Sequence, residues 1–142
     1  MGNTYKSHLD PLVKLQKKAI RIISKADRGA HTAPLFQTLK VLPIESVYLY
    51  CAQLFLFKYH KTELPDIFND FYTRNSNIHG HITRQSNYFH TIGAKTTSRN
   101  NAIRVSGVRI YNYFYDRIDM DCSFVTYKHK LKYHLNNIKV EL

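Results

Sequence analysis

The chain has 142 residues, room for one domain with a core of its own and too few for two. Hydrophobic residues make up 44%, which excludes a disordered segment, while 21 Lys and Arg against 10 Asp and Glu leave a formal charge of +11. A charge of that size points to a polyanion, nucleic acid first among them, and says nothing of the fold. The longest apolar run, Val47 to Phe57, is broken by Gln53 and too short for a bilayer span, and the N-terminus lacks the apolar stretch of a secretory leader, so no membrane partner is expected. Met1-Gly2 is followed by Lys6 where N-myristoylation wants Ser or Thr. Cys51 and Cys122 have no second Cys at metal or redox spacing, which suits a reducing, nuclear or cytoplasmic compartment.

In chain order, Leu9, Leu12, Leu15, Ala19, Ile22, Ile23 and Ala26 recur at helical steps and predict an amphipathic helix from Leu9 to Arg28. Ser7 or Asp10 would cap it, Pro11 would stand in the first turn, and Gly29 would end it. Lys14, Lys17, Lys18, Arg21, Lys25 and Arg28 repeat at the same steps and fall within a sector of roughly 100°, apart from the apolar stripe; Asp27 interrupts it. Thr32 and Pro34 open a short second helix, ended by Pro43. Ile44-Glu45-Ser46 leads into a third that runs to His60, apolar nearly all round and so expected at the core. Pro65 starts one more turn, Asp66 to Phe71, with Ile67, Phe68 and Phe71 facing inward.

From Phe71 to Tyr115 there is no Asp or Glu, and Arg74, Arg84 and Arg99 stand among Asn, Ser and Thr, which predicts an irregular basic segment over 73–101. Tyr72, Tyr88, Phe89, Tyr111 and Tyr113 alternate with these arginines, either as stacking platforms for a single strand or as core; for Tyr111 the core is the reading adopted. Ala102, Ile103, Val105, Val108 and Ile110 suggest a strand or hairpin around Gly107. Asp121 or Ser123 caps a final helix with Phe124, Tyr127, Leu131, Leu135 and Ile138 on one face and Lys128, Lys130, Lys132 and Lys139 outside. The expected fold is mainly α: one small helical domain over 1–142, helical to residue 72, with a short β-hairpin or irregular basic segment in the second half.

The order of these segments resembles a known family. Leu12 with Leu15-Gln16-Lys17-Lys18-Ala19-Ile20-Arg21-Ile22-Ile23, then His31-Thr32-Ala33-Pro34-Leu35-Phe36 with Leu39 and Leu42-Pro43-Ile44, are similar to the region downstream of the polymerase core in non-LTR (LINE-type) retrotransposon reverse transcriptases. Leu64-Pro65-Asp66-Ile67-Phe68, Ile78-His79 with Thr83-Arg84, Ile103 to Gly107 with Tyr111-Asn112, and Ser123-Phe124 with Tyr127-Lys128 and Leu131-Lys132 follow in the family's order. Tyr111 stands where the family usually has Trp, and Met1 where it tends to have Trp before Gly-Asn-Thr-Tyr. The resemblance implies a C-terminal piece of an RNA-directed DNA polymerase, cut from a longer frame, with RNA or DNA as partner and the polymerase domain of the parent protein as a second one.

Polymerase or nuclease chemistry needs close carboxylates holding two metal ions. The chain has no Asp-Asp or Asp-Glu dipeptide, and Asp116, Asp119 and Asp121 read as solvated acids near the last helix. His79, His81 and His90 lack the cysteines that would complete a zinc site. No nucleophile elbow or phosphate-cradling glycine loop is present. The expectation is therefore a non-enzyme without cofactor or metal, gripping template RNA or target DNA by backbone contacts from Lys14, Lys17, Lys18, Arg21, Lys25, Arg28, Arg74, Arg84 and Arg99. The rival is a structural tail that stabilises the polymerase core and binds no nucleic acid.

Overall fold

The computed structural model describes residues 6–137, so Met1-Gly2, Ile138 and Lys139 lie outside the described residues. Among those described, α1 (Lys6–Ile23), α2 (Thr32–Thr38), α3 (Ile44–His60), α4 (Thr97–Asn101), α5 (Ile103–Tyr115) and α6 (Phe124–Asn137) make the protein mainly helical, with no sheet. The hairpin expected around Gly107 is overturned: Ile103 to Tyr115 is one helix, and Gly107 lies buried inside it.

Helix α1 also differs from its expected extent. It includes Pro11, which removes a bond to the Ser7 carbonyl, and it stops at Ile23 rather than Arg28. The Ala26 amide bonds the Arg21 carbonyl at 2.9 Å and the Lys25 amide the Ile22 carbonyl at 3.1 Å, with Lys25 at φ 51°. This is a Schellman closure whose left-handed position, usually glycine, is a lysine. Gly29 belongs to the turn after it, where the Ala30 amide bonds the Asp27 carbonyl. The same closure ends α2, with Lys40 at φ 52°, and α3, with Thr62 at φ 56°.

The chain divides into two compact units, one formed by residues up to Tyr50 and from His129 on, the other by Cys51–Lys128; α3 and α6 each contribute to both. In the first unit Ile20, Phe36, Leu131 and Leu135 are buried. Helix α1 buries only part of its apolar surface there. Leu9, Val13, Gln16 and Ile20, within about 60° of one another at ~100° per residue, are covered or half-covered. Leu12, Leu15, Ile22 and Ile23, on the adjoining arc, are 40%, 63%, 67% and 65% exposed. The stripe expected to pack inward is thus largely open. Gln16 closes the unit from below: its Oε1 accepts the Ile44 amide that opens α3, and its Nε2 donates to the Leu42 carbonyl, both at 2.9 Å.

The second unit has an aromatic core. Tyr111 and Phe89 lie 3.9 Å apart between centroids, Phe89 stacks on Tyr72 at 4.9 Å, and Phe57 stacks on Tyr127 at 4.1 Å. Each such ring contributes about 1.5–3 kcal/mol by leaving water, and all five are buried. Gln53, the polar break in the apolar run, is fully buried and donates from Nε2 to the Tyr127 hydroxyl at 2.6 Å. Ile67, expected to face inward, is 85% exposed, because Asp66–Phe68 is a single 3-10 turn that brings only Phe68 against Phe55. The basic segment is irregular as far as Thr96, apart from a 3-10 turn at Asn75–Asn77, but its end, Thr97–Asn101, is the short helix α4. Within it, 73–75 and 88–90 are drawn together by the His90 amide on the Thr73 carbonyl and the Asn75 amide on the Tyr88 carbonyl. Asn112 completes that stem: its Oδ1 accepts the Phe89 amide and its Nδ2 donates to the Phe89 carbonyl, both at 2.9 Å, as a neighbouring strand would. Ser123 caps α6 by accepting the Thr126 amide, the role foreseen for it.

Candidate nucleic-acid interface

The helical repeat places Lys14, Lys17, Lys18 and Arg21 on one face of α1, and the three lysines are exposed. Asp10 shares that face, one turn before Lys14, because α1 begins at Lys6 instead of using Asp10 as a cap. Arg21 is half-buried and donates from Nε to the Ala30 carbonyl at 2.9 Å, so it holds the loop after α1. Lys25 and Arg28 are exposed, but they leave the helical stripe because the helix ends before them. The contiguous basic face therefore shrinks from six residues to Lys14, Lys17, Lys18 and Arg21.

The second unit holds the other three predicted contacts, and they differ. Arg74 is committed internally: it donates to the Asn87 carbonyl at 2.8 Å and to His60 Nδ1 at 3.3 Å, and lies 5.6 Å over the Phe89 ring. The Tyr111 hydroxyl also meets Nδ1, at 2.8 Å. A bond from Arg74 requires Nδ1 as an acceptor, so the neutral ring carries its proton on Nε2. Burial, then the charges of Arg74 and Lys61, hold the His60 pKa below its usual 6.5, with Asp121 opposing. Burial likewise pushes the Tyr111 hydroxyl up to about 12. Arg84 and Arg99 are exposed; Arg99 stands in α4, its amide capped by Thr96. Of the rings set against these arginines, Tyr72, Phe89 and Tyr111 are core and offer no platform for bases, while Tyr88 and Tyr113 are half-buried.

The first unit carries a second basic surface, of which the sequence shows only the lysines on the outside of α6. In the first unit a groove of about 570 Å³ runs between α2 and α6, lined by Gln37, Lys40, His129, Lys132, Tyr133 and Asn136. Tyr133 is 74% exposed. Neither α2 nor α6 contains an acid. The signal was present in α6, where His129 and Tyr133 stand four residues apart, as do Lys128 and Lys132.

The three acids of 116–121 have separate partners: Asp116 accepts from the Tyr88 hydroxyl, Asp119 from the Asp121 amide, and Asp121 pairs with Lys61 at 3.2 Å. His79 and His90 face each other with centroids 6.1 Å apart. Among the described residues no three His, Cys, Asp or Glu side chains converge as metal ligands, and no helix is long and apolar enough to cross a membrane. No protein-family model, curated protein or solved structure matches the chain.

Proposed function

We propose that this protein is a non-catalytic nucleic-acid-contacting module, corresponding to the C-terminal region of a non-LTR retrotransposon reverse transcriptase, and that it holds template RNA or target DNA by its backbone. The observation that carries the proposal is the exposed lysine face of α1, Lys14, Lys17 and Lys18, on a chain of formal charge +11. Lysines at this spacing meet successive phosphates and fix register without reading bases. The resemblance supplies the polymerase context and the surface supplies the ligand class.

The test is the salt dependence of binding to RNA and to DNA. Each phosphate neutralised contributes a slope of about −0.9 for duplex DNA or −0.7 for a single strand in log K against log salt. Lys14→Glu, Lys17→Glu and Lys18→Glu together should flatten the slope by at least two. An unchanged slope sinks the assignment.

The open arc of α1 favours a second reading, a tail that packs on a partner domain. Leu15, Ile22 and Ile23 are each more than 60% exposed and adjoin one another on the helix. Exposed apolar surface of this kind marks interaction sites. Self-association of the isolated chain in sedimentation, abolished by Leu15→Glu with Ile22→Lys, would support it. A clean monomer at every concentration would count against it.

A further inference from the structure

We propose that the groove between α2 and α6 is a seat for an unpaired nucleobase, so that the nucleic acid this protein holds is single-stranded where it crosses the first unit. The inference deepens the backbone-contact reading above and rests on it. Three features of the groove carry it. Tyr133 presents most of its ring to solvent in the second-to-last turn of α6, whereas the large aromatic rings of the core, Phe36, Tyr111, Phe114 and Tyr127 among them, are buried. An exposed tyrosine ring is costly to leave in water and offers a flat π-face to any base.

Charge is the second feature. Lys40, His129 and Lys132 line the groove, and α2 and α6 carry no acid to neutralise them. A groove of one sign selects an anion, and basic side chains beside an aromatic ring are the combination that holds single strands. Lys40 is held at φ 52° in the closure of α2, which fixes its backbone at the groove's edge.

Amides are the third feature. Gln37 Nε2 reaches the Asn136 carbonyl and Asn137 Oδ1 at 3.5 Å, long bonds that an entering ligand can replace. Among the described residues, Asn136 Oδ1 is buried with no hydrogen-bond partner. An amide left in that state favours any arrangement that brings it a donor, and a base edge carries donors. The volume, about 570 Å³, is in the range of about 300–1,000 Å³ that small-ligand sites span. A paired base inside a duplex cannot enter a site of this kind, which is why the ligand is a strand and not a helix.

The experiment uses the whole chain with a short oligonucleotide carrying one 2-aminopurine, as a single strand and annealed to its complement. On the single strand the fluorescence should be quenched by stacking, and Tyr133→Ala should abolish the quench and weaken binding about tenfold. Tyr133→Phe, which keeps the ring, should retain both. Duplex affinity and the salt slope should be untouched by either change, and circular dichroism checks that the helices persist. The proposal is overturned if Tyr133→Ala leaves single-strand affinity unchanged, or lowers single-strand and duplex affinity alike. It is also overturned if polyglutamate displaces the oligonucleotide from wild type but not from Tyr133→Ala, since the groove is then a seat for acidic peptide. The α1 charge reversals separate this idea from the one it rests on. A lost salt slope with an intact 2-aminopurine signal leaves the groove standing, whereas a normal slope with no signal fails the groove alone.

Discussion

Replacing Gly107 by Ala tests the packing at the centre of the second unit. On helix propensity alone the change should stabilise, since Ala is favoured over Gly in a helix interior by about 1 kcal/mol. The surroundings reverse the sign. A Cβ at position 107 would overlap the Tyr72 hydroxyl and come within 3.1 Å of Tyr72 Cζ and 3.5 Å of Leu56 Cδ2. Tyr72 has little room to retreat: its hydroxyl donates to the Ile103 carbonyl at 2.7 Å, its backbone is bonded at both ends to the Tyr59 hydroxyl, and its ring stacks on Phe89. Overpacking costs roughly 1–3 kcal/mol and the lost hydroxyl bond about 1 kcal/mol. After the propensity gain the net expectation is a destabilisation of about 2 kcal/mol. Urea denaturation followed by circular dichroism measures it. Tyr72→Phe removes the overlapping oxygen, so the double variant Tyr72→Phe/Gly107→Ala should be more stable than the sum of the single changes by about 1 kcal/mol or more. A Gly107→Ala protein as stable as wild type, or strict additivity in the double variant, would refute the reasoning.

Three further outcomes are expected. Thr62→Gly should stabilise by about 0.5–1 kcal/mol, because a β-branched residue at φ 56° carries about 1–2 kcal/mol of strain and glycine returns part of it as chain entropy; a lower melting temperature would contradict this. His60 is held neutral in the fold, so the unfolded chain takes up its proton first: stability from this group is full above pH 6.5 and falls as pH drops below it. His60→Gln should show a shallower loss of urea midpoint below pH 6.5 than wild type, and parallel curves would exclude the effect. Tyr127→Phe should cost about 1–2 kcal/mol by leaving the buried Gln53 amide without an acceptor, and Gln53→Leu added to it should recover most of that; no recovery in thermal melts would show that the pair is worth more than its single bond.

Helix positions were legible wherever one face alternated cleanly. The apolar density of α3 and the spacing of Tyr127, Leu131 and Leu135 on α6 led to buried residues, and Ser123 capped where a cap was wanted. Helix ends were less legible, because the chain ends α1, α2 and α3 at Lys25, Lys40 and Thr62, residues that do not announce a left-handed turn, while Gly29 suggested one. Gly107 misled for the opposite reason. A glycine among Ile103, Val105, Val108 and Ile110 looks like a turn between strands, yet it stands in a helix because Tyr72 needs the space of its missing Cβ. The basic face of α1 was visible from charge periodicity, and Arg74 was not distinguishable from Arg84, since its partners Asn87, His60 and Phe89 are brought to it only by the fold. The groove at Tyr133 joins α2 to α6 across about a hundred residues of sequence, a separation that no local pattern reports.

The double hydrogen bond between Asn112 and the backbone of Phe89 has a consequence for what this chain can accommodate. In most paired segments, a change in loop length shifts the register of the strands beside it. Here Phe89 pairs across the chain with Arg74 and is held a second time by a side chain on a helix, so the position of that residue is set by two anchors that lie outside the excursion between Asn77 and Gln85. The excursion is thereby uncoupled from the core it leaves and rejoins. Foreign sequence spliced between His79 and Ile82, both exposed, should leave Phe89 seated on Tyr111, which makes this bend a natural insertion port.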